Sequence, residues 1–318
     1  MRIAFFGTPE FAVPTLEALL GSAHEVVLVV TQPDRPRGRG QRVSAGPVKQ
    51  LAETRGIPVR QPDKLTRDPW EAEFAAFKID LGVVAAYGKI LPDWLLDQPR
   101  FGLINVHASL LPKYRGASPI HRAVMNGDPE TGVTIMRVVK ALDAGAMLAT
   151  GTVPIGPDDR TDLVERELAR IGGALLVATV DRLAAGPVDE VPQRDADACY
   201  APRLRKEEGL VDWSRPARAI HNQIRGLHPW PHAFTFGPGG RLILHRSAVA
   251  SAAMDTVAPD TVAPGTVVTA SQSQGVSVAT GDGVLEIIEL QAEGGKVLPA
   301  RVFLAGHPLK PGDHLGAP

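Results

Sequence analysis

The sequence has little of what marks a disulfide-stapled, fibrous, membrane-embedded or polyelectrolyte protein. Its 318 residues include one cysteine, Cys199. A single thiol permits no internal disulfide, and without C-x-x-C or C-x-x-H spacing it supports no structural zinc site. Aromatic residues make up 5% of the chain, and Lys+Arg (34) almost equals Asp+Glu (35), for a net charge of -1. Such a balance does not advertise a nucleic-acid binder, although it can conceal a local basic patch. No apolar run reaches the roughly 18 residues that span a bilayer. The apolar start, Met1 to Gly7, is too short for a secretion signal. These absences lead to the expectation of a soluble cytoplasmic chain. What is present is ordinary globular usage, 44% hydrophobic and 22% charged. The length suits two domains better than one.

The first half alternates strand-like and helix-like segments. Ile3 to Phe6 is a short apolar run ending at Gly7, with Thr8 a candidate N-cap and Pro9 a candidate first helical residue. Phe11 to Leu20 has helical spacing and stops at Gly21. Glu25 to Thr31 is nearly all β-branched, the mark of a strand buried on both faces. Helices are expected around Val48 to Arg55 and Trp70 to Phe77, with strands at Leu81 to Ala86 and Leu103 to His107. The alternation predicts an α/β domain with a doubly wound, Rossmann-like parallel sheet. Ligands on such sheets bind beyond the carboxyl ends of the strands. Neither G-x-G-x-x-G after the first strand nor G-x-x-x-x-G-K-[ST] occurs, which removes most support for nucleotide cofactors. Around Ala185 to Ala198 the chain turns polar and aperiodic, as a linker does. Beyond it, Pro216 to Leu227 reads as an amphipathic helix. Five short β-type runs follow between Ala233 and Leu290, a pattern fitting a small antiparallel barrel. The expected division is residues 1–187, a linker over 188–206, and a second domain over 207–318.

The chemistry concentrates in Asn105-Val-His-Ala-Ser-Leu-Leu-Pro-Lys-Tyr-Arg-Gly116. Asn105 and His107 are two apart on a strand and so share a face. An amide donor beside an imidazole suits attack on a carbonyl carbon: the amide holds the developing oxyanion, and the ring bonds to it or moves a proton. A strand-end Asn and His satisfied by backbone groups is the alternative, and N-x-H alone does not separate the two. A second strand-like stretch, Gly132 to Val139, runs into Lys140-Ala-Leu-Asp143-Ala-Gly145. Asp143 either caps that turn through backbone N–H groups or orients an imidazole and keeps it charged.

Asn105-x-His107-x-Ser-Leu-Leu-Pro112 followed by Leu142-Asp143-x-Gly145 resembles the signature of the 10-formyltetrahydrofolate-dependent formyltransferases. Phe6-Gly-Thr-Pro-Glu-Phe-Ala12, Thr31-Gln-Pro-Asp-Arg-Pro-Arg-Gly-Arg-Gly40, Asp212-Trp-Ser214 and Ile224-Arg-Gly-Leu-His-Pro-Trp-Pro231 narrow the resemblance to members acting on initiator methionyl-tRNA. Ala108 and Ala144 depart from the Gly and Thr common in those relatives, and both are small. The resemblance implies 10-formyltetrahydrofolate as formyl donor, with neither metal nor covalent intermediate required. It implies Asn105 and a protonated His107 as oxyanion stabilisers, with Asp143 keeping the ring charged. It implies folate contacts from Tyr87, Ile90, Leu91, Ser109, Leu110, Leu111, Pro112 and Leu142. Plain core packing is the competing reading for the leucines and prolines. A formyltransferase for glycinamide ribonucleotide or an amino sugar is the nearest alternative, and a non-catalytic folate-sensing or RNA-binding relative the more distant one.

Arg35, Arg37, Arg39 and Arg42 fall within eight residues among prolines and glycines. A solvated loop is one reading; an arm that orders on phosphates is the other. The resemblance implies that this loop enters the acceptor end of tRNA, with Arg39 foremost, and that the second domain is an OB-like tRNA-binding barrel; two domains gripping one tRNA would work as a monomer. Its basic candidates are Arg203, Arg205 and Lys206, with Arg215, Arg218 and Arg225 on the following helix. Arg218 and Arg225 are seven apart and so share a helix face. Trp213, Trp230 and Phe234 either stack bases or anchor the barrel core.

Overall fold

The computed structural model describes residues 1–37, 42–250 and 262–318. They form two compact units. The first comprises Met1–Pro119, Thr131–Val153 and Glu165–Pro202; the second comprises Ile120–Glu130, Pro154–Val164 and Arg203–Pro318.

Along the chain come β1 (Arg2–Gly7), α1 (Val13–Leu20), β2 (Glu25–Val30), β3 (Arg35–Arg37), β4 (Arg42–Ser44), α2 (Pro47–Thr54) and β5 (Val59–Arg60). Next are α3 (Arg67–Ala76), β6 (Leu81–Ala85), α4 (Asp93–Leu96), β7 (Leu103–His107), β8 (Arg115–Gly116) and α5 (Pro119–Asn126). Then follow β9 (Glu130–Arg137), β10 (Met147–Pro154), α6 (Thr161–Ala185) and β11 (Tyr200–Ala201). Seven strands build the sheet of the first unit in the order β10-β9-β7-β6-β1-β2-β5. From β7 to β5 every pairing is parallel, as the β-branched run in β2 leads one to expect: Val26 to Val30 are all buried. The parallel sheet predicted from alternation needs one correction, because β9 runs antiparallel to β7 and pairs His107 with Thr134. A second concerns Thr8. The chain makes a single 3-10 turn at Glu10–Ala12 before α1 begins, and the Thr8 hydroxyl instead accepts the Gln32 N–H at 3.1 Å.

The long helix α6 lies against this sheet and against α1 through two small residues. A Cβ added at Gly172 would stand 3.1 Å from Val106 of β7, and one at Gly173 would stand 3.0 Å from the Pro14 carbonyl. The side-chain-free face therefore sets how closely the helix approaches.

In the second unit α7 (Ala217–Gly226) precedes β12 (Ala233–Gly237), β13 (Gly240–Val249), β14 (Val267–Ser271), β15 (Gly275–Ala279), β16 (Val284–Ala292), β17 (Leu298–Pro299) and α8 (Ala300–Gly306). The sheet runs β12-β13-β16-β15-β14, antiparallel throughout, with β17 on β16. Its core contains Trp213, Ile220, Leu244, Val278, Leu290, Phe303 and Leu315. Residues 312–316 hydrogen-bond to both ends of that path. Gly316 exchanges bonds of 2.8 and 2.9 Å with Phe236 of β12, while the Val267 N–H of β14 donates to Asp313 at 2.8 Å. Among the described residues no helix is long and apolar enough to cross a membrane.

Candidate active site

The loops beyond the carboxyl ends of β7 and β9 hold the most concentrated polar geometry of the first unit. His107, the last residue of β7, is only 5% exposed. Its Nε2 lies 3.0 Å from the Tyr114 carbonyl. A carbonyl only accepts, so Nε2 carries the proton of that bond. The other nitrogen, Nδ1, stands 3.7 Å from Asp143 Oδ2. A neutral ring has one N–H for two acceptors facing it, whereas the imidazolium has one for each. Asn105, two residues earlier on the same strand face, is half-buried. Its backbone is held by Val84 on one side and Met136 on the other.

Asp143 occupies the left-handed region at φ 47°, an uncommon place for a residue other than glycine. Its carboxylate accepts the Gly116 N–H at 2.9 Å. It therefore bonds a backbone N–H of another segment rather than capping its own turn. The loop is held from outside. Gln193 donates through Nε2 to the carbonyls of Asp143 and Gly145, both at 2.8 Å. Gln193 Oε1 accepts from Arg115 Nε at 3.0 Å, and the buried Arg115 guanidinium also reaches Asp195 at 2.8 Å. Gly145 leaves no room for a side chain: an added Cβ would sit 1.9 Å from the Arg137 carbonyl. The sequence reading missed Gln193, Arg115 and the Tyr114 carbonyl, and no spacing in the chain signals them. Gln193 and Arg115 become partners only when the segment at 193–195 returns to the sheet.

The predicted folate contacts divide. Ile90 is 91% exposed and Leu142 59%, and Lys140 ties their two loops together by donating to Asp93 at 3.0 Å. Ser109, Leu111 and Leu91 are buried. Ser109 donates to the Lys113 carbonyl at 2.6 Å, and Thr134 braces the loop by donating to the Ser109 carbonyl and accepting the Leu111 N–H. Leu110 is half-buried against Gly132, and Pro112 is half-buried. Tyr87 is 1% exposed within the cluster of Phe6, Phe74 and Leu91. Burial pushes its phenol up to about 12, and its carbonyl accepts Gln32 Nε2 at 2.7 Å.

Among the arginines of the early loop, β3 and β4 pair as a hairpin that brings Arg35 opposite Ser44 and Arg37 opposite Arg42. Arg35 is exposed. Arg39 lies outside the described residues. In the second unit Arg203, Arg205 and Lys206 are exposed, as are Arg215 and Arg218. Arg225 is not a surface residue. It is 5% exposed, donating to Asn222 at 2.9 Å and to the carbonyls of Gly156 and Asp159. Arg218 and Arg225 therefore form no exposed basic stripe, because the last turn of α7 supplies donors to carbonyls of the 156–159 segment. Trp213 is core, with Nε1 donating to Thr235 at 3.0 Å, while Trp230 is half exposed. Phe234 carries the Arg241 guanidinium 4.0 Å above its ring.

One group of side chains went unremarked in the sequence. His228, His232 and His245 each direct a ring nitrogen to within 4.8 Å of the others. The H-x-x-x-H spacing of the first two was the available signal.

Comparison with known proteins places the chain in context. Residues 1–180 match the family described as formyl transferase, and residues 203–308 match the formyl transferase C-terminal domain. The methionyl-tRNA formyltransferase of Citrifermentans bemidjiense is 49% identical over 316 residues, 99% of this chain and 96% of that protein. That of Methylobacillus flagellatus is 46% identical over 318 residues, with both chains covered completely. Among solved structures, HypX from Aquifex aeolicus in complex with tetrahydrofolic acid shares the fold at TM-score 0.62 and 18% identity. The match covers 98% of this chain and 48% of that one.

Proposed function

Since the chain belongs to the methionyl-tRNA formyltransferase family of formyl transferases, we propose that it moves the formyl group of 10-formyltetrahydrofolate onto the α-amino group of the methionine on initiator tRNA. The amine nitrogen forms a bond to the formyl carbon, and the carbonyl electron pair moves to oxygen. Collapse of this tetrahedral species breaks the bond to the folate nitrogen, which gains the proton the amine gives up. Asn105 donates its amide N–H to the transient oxygen anion, the kind of interaction worth several kcal/mol in acyl transfer. His107 offsets the anion by its positive charge, its two N–H groups being directed to the Tyr114 carbonyl and the Asp143 carboxylate. Asp143 faces the second ring nitrogen, and Gln193 holds the loop that carries Asp143.

The single observation that carries this reading is an imidazole placed between a backbone carbonyl and a carboxylate at the end of β7. The test is direct. The purified chain is incubated with 10-formyltetrahydrofolate and methionine-charged initiator tRNA, and the esterified amino acid is released and identified. Formylmethionine is expected, with no transfer to glycinamide ribonucleotide or to an amino sugar. Preferential transfer to either small acceptor, or to none, overturns the proposal.

The rest of the assignment follows from it. Residues 1–187 act as the formyl-transfer domain and 207–318 as an OB-like tRNA-binding domain; 188–206 connect them, and Gln193 and Asp195 of that stretch also brace the first unit. The bonds from residues 312–316 to β12 and β14 support a barrel reading of that sheet. The exposed side chains of Ile90 and Leu142 offer apolar surface to a flat pterin, and loop backbone at Tyr87 and at Ser109 to Pro112 offers donors and acceptors for its edge. Arg35, Arg37, Arg39 and Arg42 approach the tRNA acceptor end, and Arg203, Arg205 and Lys206 bind its phosphates. The enzyme works in the cytoplasm as a monomer.

A further inference from the structure

We propose that His228, His232 and His245 form a binding site for a first-row divalent transition metal, with zinc the ion their chemistry suits best. None of the three belongs to the residues assigned to formyl transfer. Imidazole nitrogen is a zinc ligand, and three protein ligands with a fourth position left to water is a known zinc arrangement. The three donor atoms lie within 4.8 Å of one another in the unliganded protein. Tetrahedral bonds of about 2.0–2.1 Å separate such donors by about 3.3 Å, so the rings close by at most roughly 1.5 Å.

The hydrogen bonds around the rings match what metal ligands require. Gln291 donates its Nε2 to the Gly295 carbonyl at 2.8 Å, which turns Oε1 toward His245 Nε2 at 3.0 Å. An amide oxygen only accepts, so His245 carries its proton on Nε2 and keeps the Nδ1 lone pair. The His228 Nε2 stands 3.9 Å from an Asp162 carboxylate oxygen, a group that favours a proton on Nε2. Metal-bound histidines commonly send the far ring N–H to a carboxylate or carbonyl in this way. The Nδ1 atoms of His228 and His232 are buried and make no hydrogen bond within the protein. Simple packing of three rings leaves those two nitrogens unsatisfied, whereas a shared cation satisfies both.

Neutral imidazole is the form that binds metal. The cluster joins the turn between α7 and β12 to strand β13, so a bound ion cross-links two elements of the second unit.

The experiment uses the full chain without a polyhistidine tag, dialysed against Zn2+ or Co2+ at neutral pH. One equivalent retained per chain is expected, with the visible absorption of tetrahedral Co2+ and shifted ring resonances for the three histidines on adding Zn2+. His228→Asn and His232→Asn are each expected to weaken retention by more than about tenfold, and Gln291→Leu by about 10–100-fold, the range for an outer partner. Failure of the unmodified protein to retain either ion overturns the proposal. So does one full equivalent held unchanged by the His228→Asn/His232→Asn double variant. Should these variants fail to fold, the ring resonances of the unmodified protein decide the matter: unshifted signals at saturating Zn2+ refute the site.

Discussion

At the scale of single residues, Asn105, His107, Asp143 and Gln193 have separable consequences. Asn105→Ala removes one donor from the proposed oxyanion site, and its expected cost is about 10²–10³ in kcat, with KM for both substrates little altered. Steady-state kinetics check this, and a loss below about tenfold would remove Asn105 from the mechanism. His107 and Asp143 act as a unit, so the double alanine variant is expected to be about as slow as the worse single one; additive losses would show the two to be independent. Gln193→Leu leaves the carbonyls of Asp143 and Gly145 without their donor. We expect kcat to fall by up to about 10²-fold, the scale of a small misplacement of a reacting group, with KM for tRNA unchanged; a proportionate rise in that KM would point to a direct role in holding tRNA instead. Sequence reading brings His107 and Asp143 under suspicion together, and the fold sets them 3.7 Å apart. Gln193 is illegible in the sequence because its partners are 48 and 50 residues away in the chain. Arg225 misleads for a related reason: seven-residue spacing fixes a face but not what that face meets.

Elements read well where one physical cue dominates. The β-branched run of β2 announces a doubly buried strand, and Gly21 ends α1 where its placement suggests. The 25 residues of α6 escape such a reading, since small and apolar residues around much of the helix blur the stripe that marks a surface helix. Antiparallel β9 is equally hidden, because an apolar strand looks the same in either direction. Helix α5 carries a testable pH dependence. Burial, and secondarily Arg122, lowers His121 from 6.5 to about 4. In the unfolded chain the ring takes up a proton as pH falls through about 6.5, but the folded protein resists until about 4. Between these values the unfolded state binds more protons, so stability is full above about 6.5 and declines toward about 4. Thermal unfolding across roughly pH 7 to 5 is expected to show a falling Tm, with a shallower fall in His121→Gln; identical slopes would exclude His121 as a contributor.

At the scale of the whole molecule, a net charge of -1 says nothing about where a polyanion binds, and arrangement must supply what composition does not. Arg203, Arg205 and Lys206 are exposed within four residues. Reversing all three to Glu is expected to raise KM for tRNA while leaving KM for the folate and kcat at saturation intact. The dependence of log affinity on log salt should flatten by about one unit for each phosphate that is no longer neutralised. A salt slope equal to that of the unmodified protein would place the tRNA elsewhere. The two-domain plan is visible in the polar, aperiodic stretch after Ala185, but the contribution of residues 120–130 and 154–164 to the second unit is not, since segments that return to a distant neighbour leave no local mark. The hydrogen bonds of residues 312–316 to β12 and β14 bear on how this protein fails. A chain clipped just before that segment, or still being synthesised up to that point, has a bare β14 edge and a β12 edge bonded by Val211 at Phe234 alone, and such edges are templates for pairing with other polypeptides. Damage there should therefore yield precipitate before it yields a merely slower catalyst.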